Sequence, residues 1–495
     1  MKLHLRLILA LVLSASCLSQ VMAQTVFDQI GLTDLRNRLG ASAPTGAGVI
    51  VMQGEATVGG PTNYLPNSSL SDFAGKTFTD QSGGGMVSGH ATTVGSFFYG
   101  NTNGVAPGIT QINNYRVDGN LGAGDWVGPA YLNLGGGLPV AQPTMRVQNH
   151  SWISTGAFDS DAQEAQRRYD FALRRDNVLG VVGVNNGVSP IPALLGNTYN
   201  GIAVGLTNGN SSVGPSTGDV PGRSKPDIVA PMGATSFATP LVAGAAALMV
   251  QTADQLGNPS AGRIETIKSA LLTGATKSEF ASLAQPWTRT NNGSYVEPLD
   301  RRFGAGQLNV NNSNLILTAG QKNGTDLGLD GTVGWDLSTY VGNGATRRYY
   351  VNIPDGTNIQ LTASATWLRR ITPTGTGTNL FATSDATLSF VTLQLFDTNP
   401  DLSLGSQIDS SLSPIDNVQY LYDTGLMSNH IYALEVTLAG LPAGQSDEDV
   451  AISWITTFSA VPEPQTWISA GVLSAGLGMV WWRKRTSKRN FTLFG

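Results

Sequence analysis

The chain is organised around one stretch, Gly233-Ala234-Thr235-Ser236-Phe237-Ala238-Thr239-Pro240, with the apolar run Leu241-Val242-Ala243-Gly244-Ala245-Ala246-Ala247-Leu248-Met249-Val250 directly after it. Small residues come first and good helix formers follow, which predicts a tight turn that leads into a buried helix. Ser236 would lie where that helix begins, so backbone N–H groups and the positive end of the helix dipole would face any group near its hydroxyl. Ser236 is therefore a candidate nucleophile, although small residues before an apolar helix also serve simple packing.

The length and the net charge of the chain limit the number of its domains and the kinds of partner it can bind. With 495 residues the chain has room for two or three domains. The net charge is −5 and the presumed folded region has no basic block, which argues against nucleic-acid binding. Residues 45–310 and residues 324–458 have different patterns, which predicts two domains, with a short polar lead-in at 24–44 and a polar linker at 311–323.

The N-terminus has the pattern of a secretory signal peptide over residues 1–23. Lys2 and Arg6 give a positive start, residues 7–15 are apolar, and small residues precede a cleavage site after Ala23. Cys17 is the single cysteine and lies inside this segment, so the mature chain would have neither a disulfide nor a thiol nucleophile. A membrane-anchoring first helix and a lipoprotein cysteine are the alternatives.

Two polar residues stand at the boundaries of predicted elements in the first domain, Glu55 after a strand and His90 at the start of a helix. The apolar run Val49-Ile50-Val51-Met52-Gln53 predicts a buried strand, and Gly54-Glu55-Ala56 follows at its end. A carboxylate at the carboxyl end of a parallel strand lies where open α/β sheets place their sites, although a solvated loop acid fits as well. His90 begins a predicted helix and is one of three histidines outside the signal peptide, with His150 and His430.

The remaining pattern of residues 45–310 alternates strands with helices. Apolar steps of three and four over 158–174 predict an amphipathic helix whose charged side faces water, with Asp161, Glu164, Arg167, Arg168 and Arg174. Strands are predicted at 144–152, 178–184, 202–206 and 225–231, and another helix has one apolar face formed by Ile264, Ile267 and Leu271. Near-continuous apolar strands between helices predict a parallel sheet covered on both faces.

Residues 324–458 show period-two alternation instead. Tyr432-Ala433-Leu434-Glu435-Val436-Thr437-Leu438 and Val450-Ala451-Ile452-Ser453-Trp454 are examples. This alternation predicts an antiparallel β-sandwich, in which no catalytic constellation is visible.

Residues 45–310 resemble a subtilisin-like serine peptidase, or subtilase. The stretch at 233–240 is similar to the serine signature of that family, and His90-Ala91-Thr92-Thr93-Val94 is similar to its histidine signature. Segments 199–205, 225–231 and 302–310 resemble other family segments in the same order. The resemblance implies an α/β fold, a subtilisin-like parallel sheet with helices on both faces. The other patterns of the sequence predict that an all-β sandwich domain and a C-terminal transmembrane helix follow it.

The resemblance also implies a set of site residues. Ser236 would attack a peptide carbonyl, His90 would take the proton, and Glu55 would orient His90. Asn185, together with the backbone N–H of Ser236, would bind the oxyanion. Asn186 is the alternative if the loop aligns one place over, and Ser151 and Trp152 would border the substrate cleft.

Two departures from the family pattern keep a second function open. The family nearly always has Asp where this chain has Glu55, although the related sedolisins pair Glu with Ser. The loop 232–235 before the serine has four residues where the family has a longer excursion. The first hypothesis is a secreted or surface-attached serine endopeptidase that acts through an acyl-enzyme. The second is a catalytically inactive subtilase-fold protein used for surface or matrix interactions.

The C-terminus resembles the PEP-CTERM sorting signal of bacteria that make extracellular polymer. Val461-Pro462-Glu463-Pro464 precedes a predicted transmembrane helix at 467–482 and the basic run Arg483-Lys484-Arg485. The resemblance of residues 461–489 implies an exosortase-type processing enzyme as partner and a location in the cell envelope, at the cell surface or in the extracellular matrix, whereas an ordinary tail anchor is the alternative. No metal ligand set is identifiable, so no cofactor is predicted, and calcium stays open.

Overall fold

The computed structural model describes residues 26–117, 137–154, 159–377 and 380–459. The predicted signal peptide at 1–23, with Cys17, and the predicted sorting signal at 461–489 lie outside these residues and stay predictions.

A parallel sheet is the centre of the first half of the chain. Its strands and the short strands near them are, in chain order, Ile50–Ala56 (β1), Asn63–Leu65 (β2), Thr77–Asp80 (β3), Met86–Val87 (β4), Gln111–Val117 (β5), Met145–His150 (β6), Leu179–Gly183 (β7), Ile202–Leu206 (β8), Gly214–Pro215 (β9), Ser224–Lys225 (β10) and Ile228–Ala230 (β11). Seven of them form one sheet in the order β11-β8-β7-β6-β1-β5-β3, and all neighbours are parallel. The predicted parallel sheet is confirmed.

Helices cover both faces of this sheet. The helices are Leu32–Leu39 (α1), Gly89–Tyr99 (α2), Asp159–Asp176 (α3), Thr235–Leu256 (α4), Ile264–Gly274 (α5) and Val310–Thr318 (α6). Gly180 of β7 faces Tyr169 of α3, whereas Gly183 of the same strand faces Thr239 of α4. Because strand residues three apart point to opposite sides, α3 and α4 pack on opposite faces.

The central helix α4 follows from the opening stretch. It begins directly after Ala234, which is extended, and ends at Gly257, whose φ of 64° is the left-handed conformation that favours glycine at a helix end. Among the described residues, α4 alone is long and apolar enough to cross a membrane by length and composition, yet 83% of its apolar window is buried inside the protein. It is the core helix of the domain.

The second half of the chain forms two antiparallel sheets. Its strands are Val333–Val341 (β12), Thr346–Ile353 (β13), Thr357–Thr366 (β14), Arg370–Ile371 (β15), Ala386–Thr387 (β16), Phe390–Thr398 (β17), Leu404–Ser411 (β18), Val418–Asp423 (β19), His430–Gly440 (β20) and Asp447–Ser459 (β21). The orders are β12-β21-β14-β19 and β13-β20-β17-β18. Both sheets contribute to one apolar core that contains Leu361, Leu393, Leu434 and Trp454. The period-two segments therefore belong to antiparallel strands that form a sandwich.

The predicted polar lead-in and linker form helices instead. In α1, Leu32 and Leu35 are buried, and in α6, Ile316 and Leu317 are buried. The two segments meet where the Val310 amide donates to the carbonyl of Ile30 at 2.8 Å. Each segment has only a few apolar residues on one face, so its helical pattern cannot be recognised among the polar residues around it.

The charged side of α3 faces water only in part: Arg174 is exposed and Asp161 is half-buried, but the other three predicted residues are not exposed. Arg167 and Arg168 are buried, and so is Glu164. Arg168 donates to Glu164 at 2.7 Å and to the carbonyl of Gly137 at 2.9 Å, while Arg167 donates to the carbonyl of Phe381 in the second half of the chain. Tertiary packing covers this face, which the helical period alone cannot show.

The sandwich docks on α5 through polar contacts. All eleven residues of α5 are buried, because the helix lies between the helices α4 and α6 and the strands β12, β14 and β21. The hydroxyl of Ser269 lies 2.9 Å from that of Ser364 and 2.7 Å from that of Ser453, and Thr273 lies 2.7 Å from Ser364. The prediction of one apolar face on this helix is therefore incomplete, since its other faces are covered by the sandwich.

Lys277 is a buried charge at the same junction. Its ammonium group lies 5.6, 4.9 and 4.7 Å from the ring centres of Trp287, Tyr420 and Tyr422, and it donates to the hydroxyl of Tyr420. Burial lowers the pKa of Lys277 from 10.5 to about 7.

Lys277 should make the stability of the chain depend on pH. Between pH 7 and 10.5 the unfolded chain keeps the proton on Lys277 and the folded chain releases it, so the free energy of unfolding should rise with pH in this window. Lys277→Met should flatten this rise, because methionine has no proton to release. Urea unfolding of both proteins at several pH values in this window measures the slopes. In Lys277→Met the slope of the free energy of unfolding against pH should be smaller than in the parent but not zero, because burial also lowers the pKa of Lys268 to about 8. Equal slopes in the two proteins would contradict the assignment.

Candidate active site

The predicted site residues lie along one edge of the parallel sheet. Gly54 of β1 pairs with His150 of β6, which pairs with Val182 of β7, so the carboxyl ends of the three strands are adjacent. These ends carry Glu55, Ser151 and Asn185, while His90 and Ser236 stand at the starts of α2 and α4. Strand order along the sheet diverges on the two sides of β1, which is where α/β sheets place their sites.

Glu55 and His90 are in direct contact. Glu55 Oε2 lies 2.8 Å from His90 Nδ1, and Glu55 is only 1% exposed. Since an ionised carboxylate can only accept, the proton of this bond belongs to Nδ1 of the imidazole. The other ring nitrogen, Nε2, is then left as a proton acceptor.

Two further residues hold the carboxylate in place. Gln53 Nε2 donates to Glu55 Oε1 at 2.8 Å and to the carbonyl of Ala91 at 2.9 Å. The hydroxyl of Tyr99 on α2 donates to Gln53 Oε1. Sequence reasoning missed Gln53 and Tyr99, although a glutamine at the end of an otherwise apolar strand was a signal for the first. Both oxygens of Glu55 are thus engaged.

The electrostatics of the pair follow from burial and contact. Burial raises the pKa of Glu55, and the hydrogen bond with His90 opposes this rise. The hydrogen bond with Glu55 raises the pKa of His90 against the smaller effect of burial. Glu55 therefore favours the imidazolium form that a general base passes through.

Ser236 and Ser151 are joined by two hydrogen bonds, in each of which the hydroxyl of one residue donates to the backbone carbonyl of the other. Pro240 has no N–H, so it cannot bond to the carbonyl four residues earlier in α4, which is that of Ser236. The hydroxyl of Ser151 donates to this free carbonyl at 2.8 Å, and the hydroxyl of Ser236 donates to the carbonyl of Ser151 at 3.4 Å. Within the described residues, no hydrogen bond joins Ser236 to His90, so the structure brings the two to the same edge without linking them.

The two adjacent asparagines have different surroundings. Asn186 Oδ1 accepts from the amide of Thr235 at 2.8 Å and from its hydroxyl at 3.1 Å, so Asn186 caps α4. The Asn185 carbonyl accepts from Ser212 at 2.9 Å, and no described residue forms a hydrogen bond with the Asn185 side chain. Both asparagines line the cleft beside Ser236, and Asn185 has the side chain free to donate.

Trp152 lines the cleft but is mostly turned into the core. It is 7% exposed, and its indole Nε1 donates to His150 Nδ1 at 3.1 Å. Burial lowers the pKa of His150 to about 3, so this histidine is a neutral acceptor. The cleft lined by Trp152, Ser151 and Ser236 is small, with a volume of about 40 Å³. In the part of the chain that the structure describes, no group of three or more His, Cys, Asp or Glu residues is arranged to hold a metal ion.

The Glu55–His90 contact can be tested without any substrate. Glu55→Gln should shift the titration midpoint of His90 to lower pH, because the charge that raises the pKa of His90 is lost while burial remains. NMR titration of the imidazole Cε1–H signals measures this midpoint in both proteins. His150 is the internal reference, since its signal should not move between pH 5 and 8. An unchanged midpoint for His90 would show that Glu55 does not govern its protonation.

Part of the chain matches a known family. Residues 68–306 match the sequence model of the Subtilase family, which is just under half of the chain and includes His90, Asn185 and Ser236 but not Glu55. No curated protein matches the chain significantly.

Several solved structures are similar to part of the chain. The patellamide maturation protease PatA has 19% identity and a TM-score of 0.37, covering 56% of this chain and 98% of its own. A protease from Pseudoalteromonas arctica has 18% identity and a TM-score of 0.36, covering 57% and 94%. A cold adapted subtilisin-like serine proteinase has 21% identity and a TM-score of 0.32, covering 48% and 86%.

Proposed function

We propose that this chain is a serine endopeptidase that hydrolyses peptide bonds through an acyl-enzyme on Ser236. The observation that carries the proposal is the buried Glu55–His90 hydrogen bond at the sheet edge where Ser236 begins α4. The match of residues 68–306 to the Subtilase family supports a serine peptidase and polypeptide substrates.

The proposed chemistry assigns a role to each of the groups at this sheet edge. The hydroxyl of Ser236 attacks the peptide carbonyl and gives its proton to His90 Nε2. The oxyanion accepts hydrogen bonds from the side chain of Asn185 and from the backbone N–H of Ser236. His90 then passes its proton to the leaving amine. Water attacks the acyl-enzyme with His90 again as base, which releases the new carboxylate and restores Ser236.

Glu55 takes the position at which the family nearly always has Asp. Its carboxylate is one methylene farther from the backbone, and Gln53 holds the oxygen that does not face His90. Tyr99 fixes Gln53 in turn. This support compensates for the extra rotatable bond of Glu and keeps the carboxylate directed at Nδ1 of the imidazole.

A second candidate function is a catalytically inactive subtilase-fold protein that serves surface or matrix interactions. The observation that favours it is the orientation of the Ser236 hydroxyl, which donates to Ser151 instead of to His90. Catalytic hydrogen bonds are often loose in the absence of substrate, so this orientation is also compatible with an active enzyme.

We propose that the enzyme is exported. The predicted signal peptide at 1–23 and the resemblance of residues 461–489 to a PEP-CTERM signal support this location. The second resemblance adds an exosortase-type processing enzyme as partner. The membrane helix predicted at 467–482 would hold the chain until that processing.

Labelling by a fluorophosphonate probe distinguishes the two candidate functions. The full chain should become covalently labelled at Ser236, and Ser236→Ala should lose the label and all hydrolysis of a fluorogenic casein. The alanine variant should keep the thermal unfolding midpoint of the parent to within about 4 °C, because only a partly buried hydroxyl is removed. A folded parent chain that takes no label would favour the interaction protein.

The two adjacent asparagines form a matched pair of variants. Asn185→Ala should lower kcat about 100- to 1000-fold with little change in stability, because an oxyanion donor is lost. Asn186→Ala should instead lower the free energy of unfolding by about 1 kcal/mol, because a helix cap is lost. Casein hydrolysis measures kcat and urea unfolding measures the free energy of unfolding for each variant. The reverse pattern would assign the oxyanion to Asn186.

A further inference from the structure

A second cavity lies where the α/β domain meets the sandwich. Its volume is about 110 Å³, and it shares no lining residue with the cleft beside Ser236. Three segments of the α/β domain line it, around Gln166 of α3, Tyr199 and Arg223. The sandwich contributes Arg369.

Arg223 is a buried cation without a counter-ion. It is 2% exposed, and its two terminal nitrogens donate to the carbonyls of Thr198 and Asn197. Its Nε has no hydrogen-bond partner, and no carboxylate of the described residues lies within 4.0 Å of its guanidinium group. A buried charge left in this state is costly, so an anion from outside would relieve it.

Other polar atoms in the cavity also lack partners. Gln166 is 5% exposed, and neither its amide nitrogen nor its amide oxygen forms a hydrogen bond to the described chain. The hydroxyl of Tyr199 has no partner either, although the ring lies between two guanidinium groups, 3.4 Å from that of Arg223 and 4.5 Å from that of Arg369. Three donors are therefore available around one cavity: the Arg223 Nε–H, the Tyr199 hydroxyl and the Gln166 amide.

The lining of the cavity holds two guanidinium groups, those of Arg223 and Arg369, and one carboxylate. Asp219 is the acid in the lining, and it pairs with Arg167 and with Arg369, the latter at 3.0 Å. The neighbouring acids are occupied elsewhere, since Asp170 accepts from the amides of Tyr199 and Asn200, and Asp416 accepts from Ser413. Lys225 is paired with Asp227. Among the described residues, Arg223 is thus the guanidinium group of the lining that no carboxylate contacts directly, while Asp416 interacts with it only at longer range.

We propose that this cavity binds a small oxyanion, a phosphate or a carboxylate, between Arg223, Tyr199 and Gln166. Guanidinium groups suit oxyanions because their N–H donors match the spacing of two oxygens. A water molecule takes about 30 Å³ of liquid volume, so the cavity has space for an anion of a few heavy atoms. The proposal is independent of the chemistry at Ser236.

Calorimetry with the full chain tests the proposal. The protein is dialysed into chloride buffer and titrated with sodium phosphate and, separately, with sodium acetate at constant ionic strength. At least one of the two should bind at a single saturable site and raise the thermal unfolding midpoint. Phosphate alone would indicate a tetrahedral anion, and acetate alone would indicate a carboxylate such as a peptide terminus. No saturable binding of either anion would overturn the proposal.

Variants locate the site. Gln166→Leu keeps the size of the side chain and removes only atoms that have no partner in the chain, so it should fold and bind the anion at least about tenfold more weakly, as expected for one lost charge-assisted hydrogen bond. Arg223→Met should abolish binding. Arg370→Gln is the control, because the neighbouring Arg370 contacts Asp447 and Glu448 outside the cavity, and its binding should equal that of the parent. Parent-like binding by folded Gln166→Leu would place the anion elsewhere and overturn the assignment.

Discussion

The burial of one carboxylate at the end of β1 is the constraint on which the candidate site depends. An isolated buried carboxylate would take up a proton or destabilise the fold, so Glu55 needs partners that come from other elements. His90 reaches it from the start of α2, Gln53 from the same strand, and Tyr99 from the end of α2 through Gln53. The position of α2 against the sheet is therefore coupled to the charge of Glu55. The imidazole receives its orientation and its raised pKa from the same contact.

Ser236 is positioned by a different set of interactions, at the start of α4. Pro240 removes one backbone donor from the first turns of α4, and Ser151 at the end of β6 supplies a replacement to the carbonyl of Ser236. The start of the helix is thereby tied to the neighbouring strand. Asn186 adds a second tie through the amide of Thr235. The nucleophile candidate therefore stands on a helix start that is fixed at two points, with the Asn185 side chain beside it.

Local sequence patterns predicted the elements that are apolar along their whole length. The strands around Val181 and Val204 and the helix α4 are continuous apolar runs, and their order along the chain was enough to predict a parallel sheet. Glu55, His90 and Ser236 were found because each stands at the end or the start of such a run. The helices α1 and α6 were missed, because their few apolar residues become meaningful only when the two segments meet. Gln53, Tyr99 and the buried Arg167 were missed for a related reason, since their partners lie far away in the sequence.

The complete burial of α5 has a consequence for how the chain can come apart. Its eleven residues contact α4 on one side and the sandwich on the other, and the hydroxyls of Ser269 and Thr273 bond only across that boundary or within the helix. Removing the sandwich would expose this helix and leave those hydroxyls without their partners across the boundary. Lys277 would lose the Tyr420 hydroxyl, and Arg167 would lose the Phe381 carbonyl. The free energies of the two halves are therefore not separable, and unfolding is expected to proceed as one cooperative transition instead of two. A protease that nicks a loop of the sandwich would lower the stability of the sheet that carries Glu55, so the chain's resistance to proteolysis is a property of the whole.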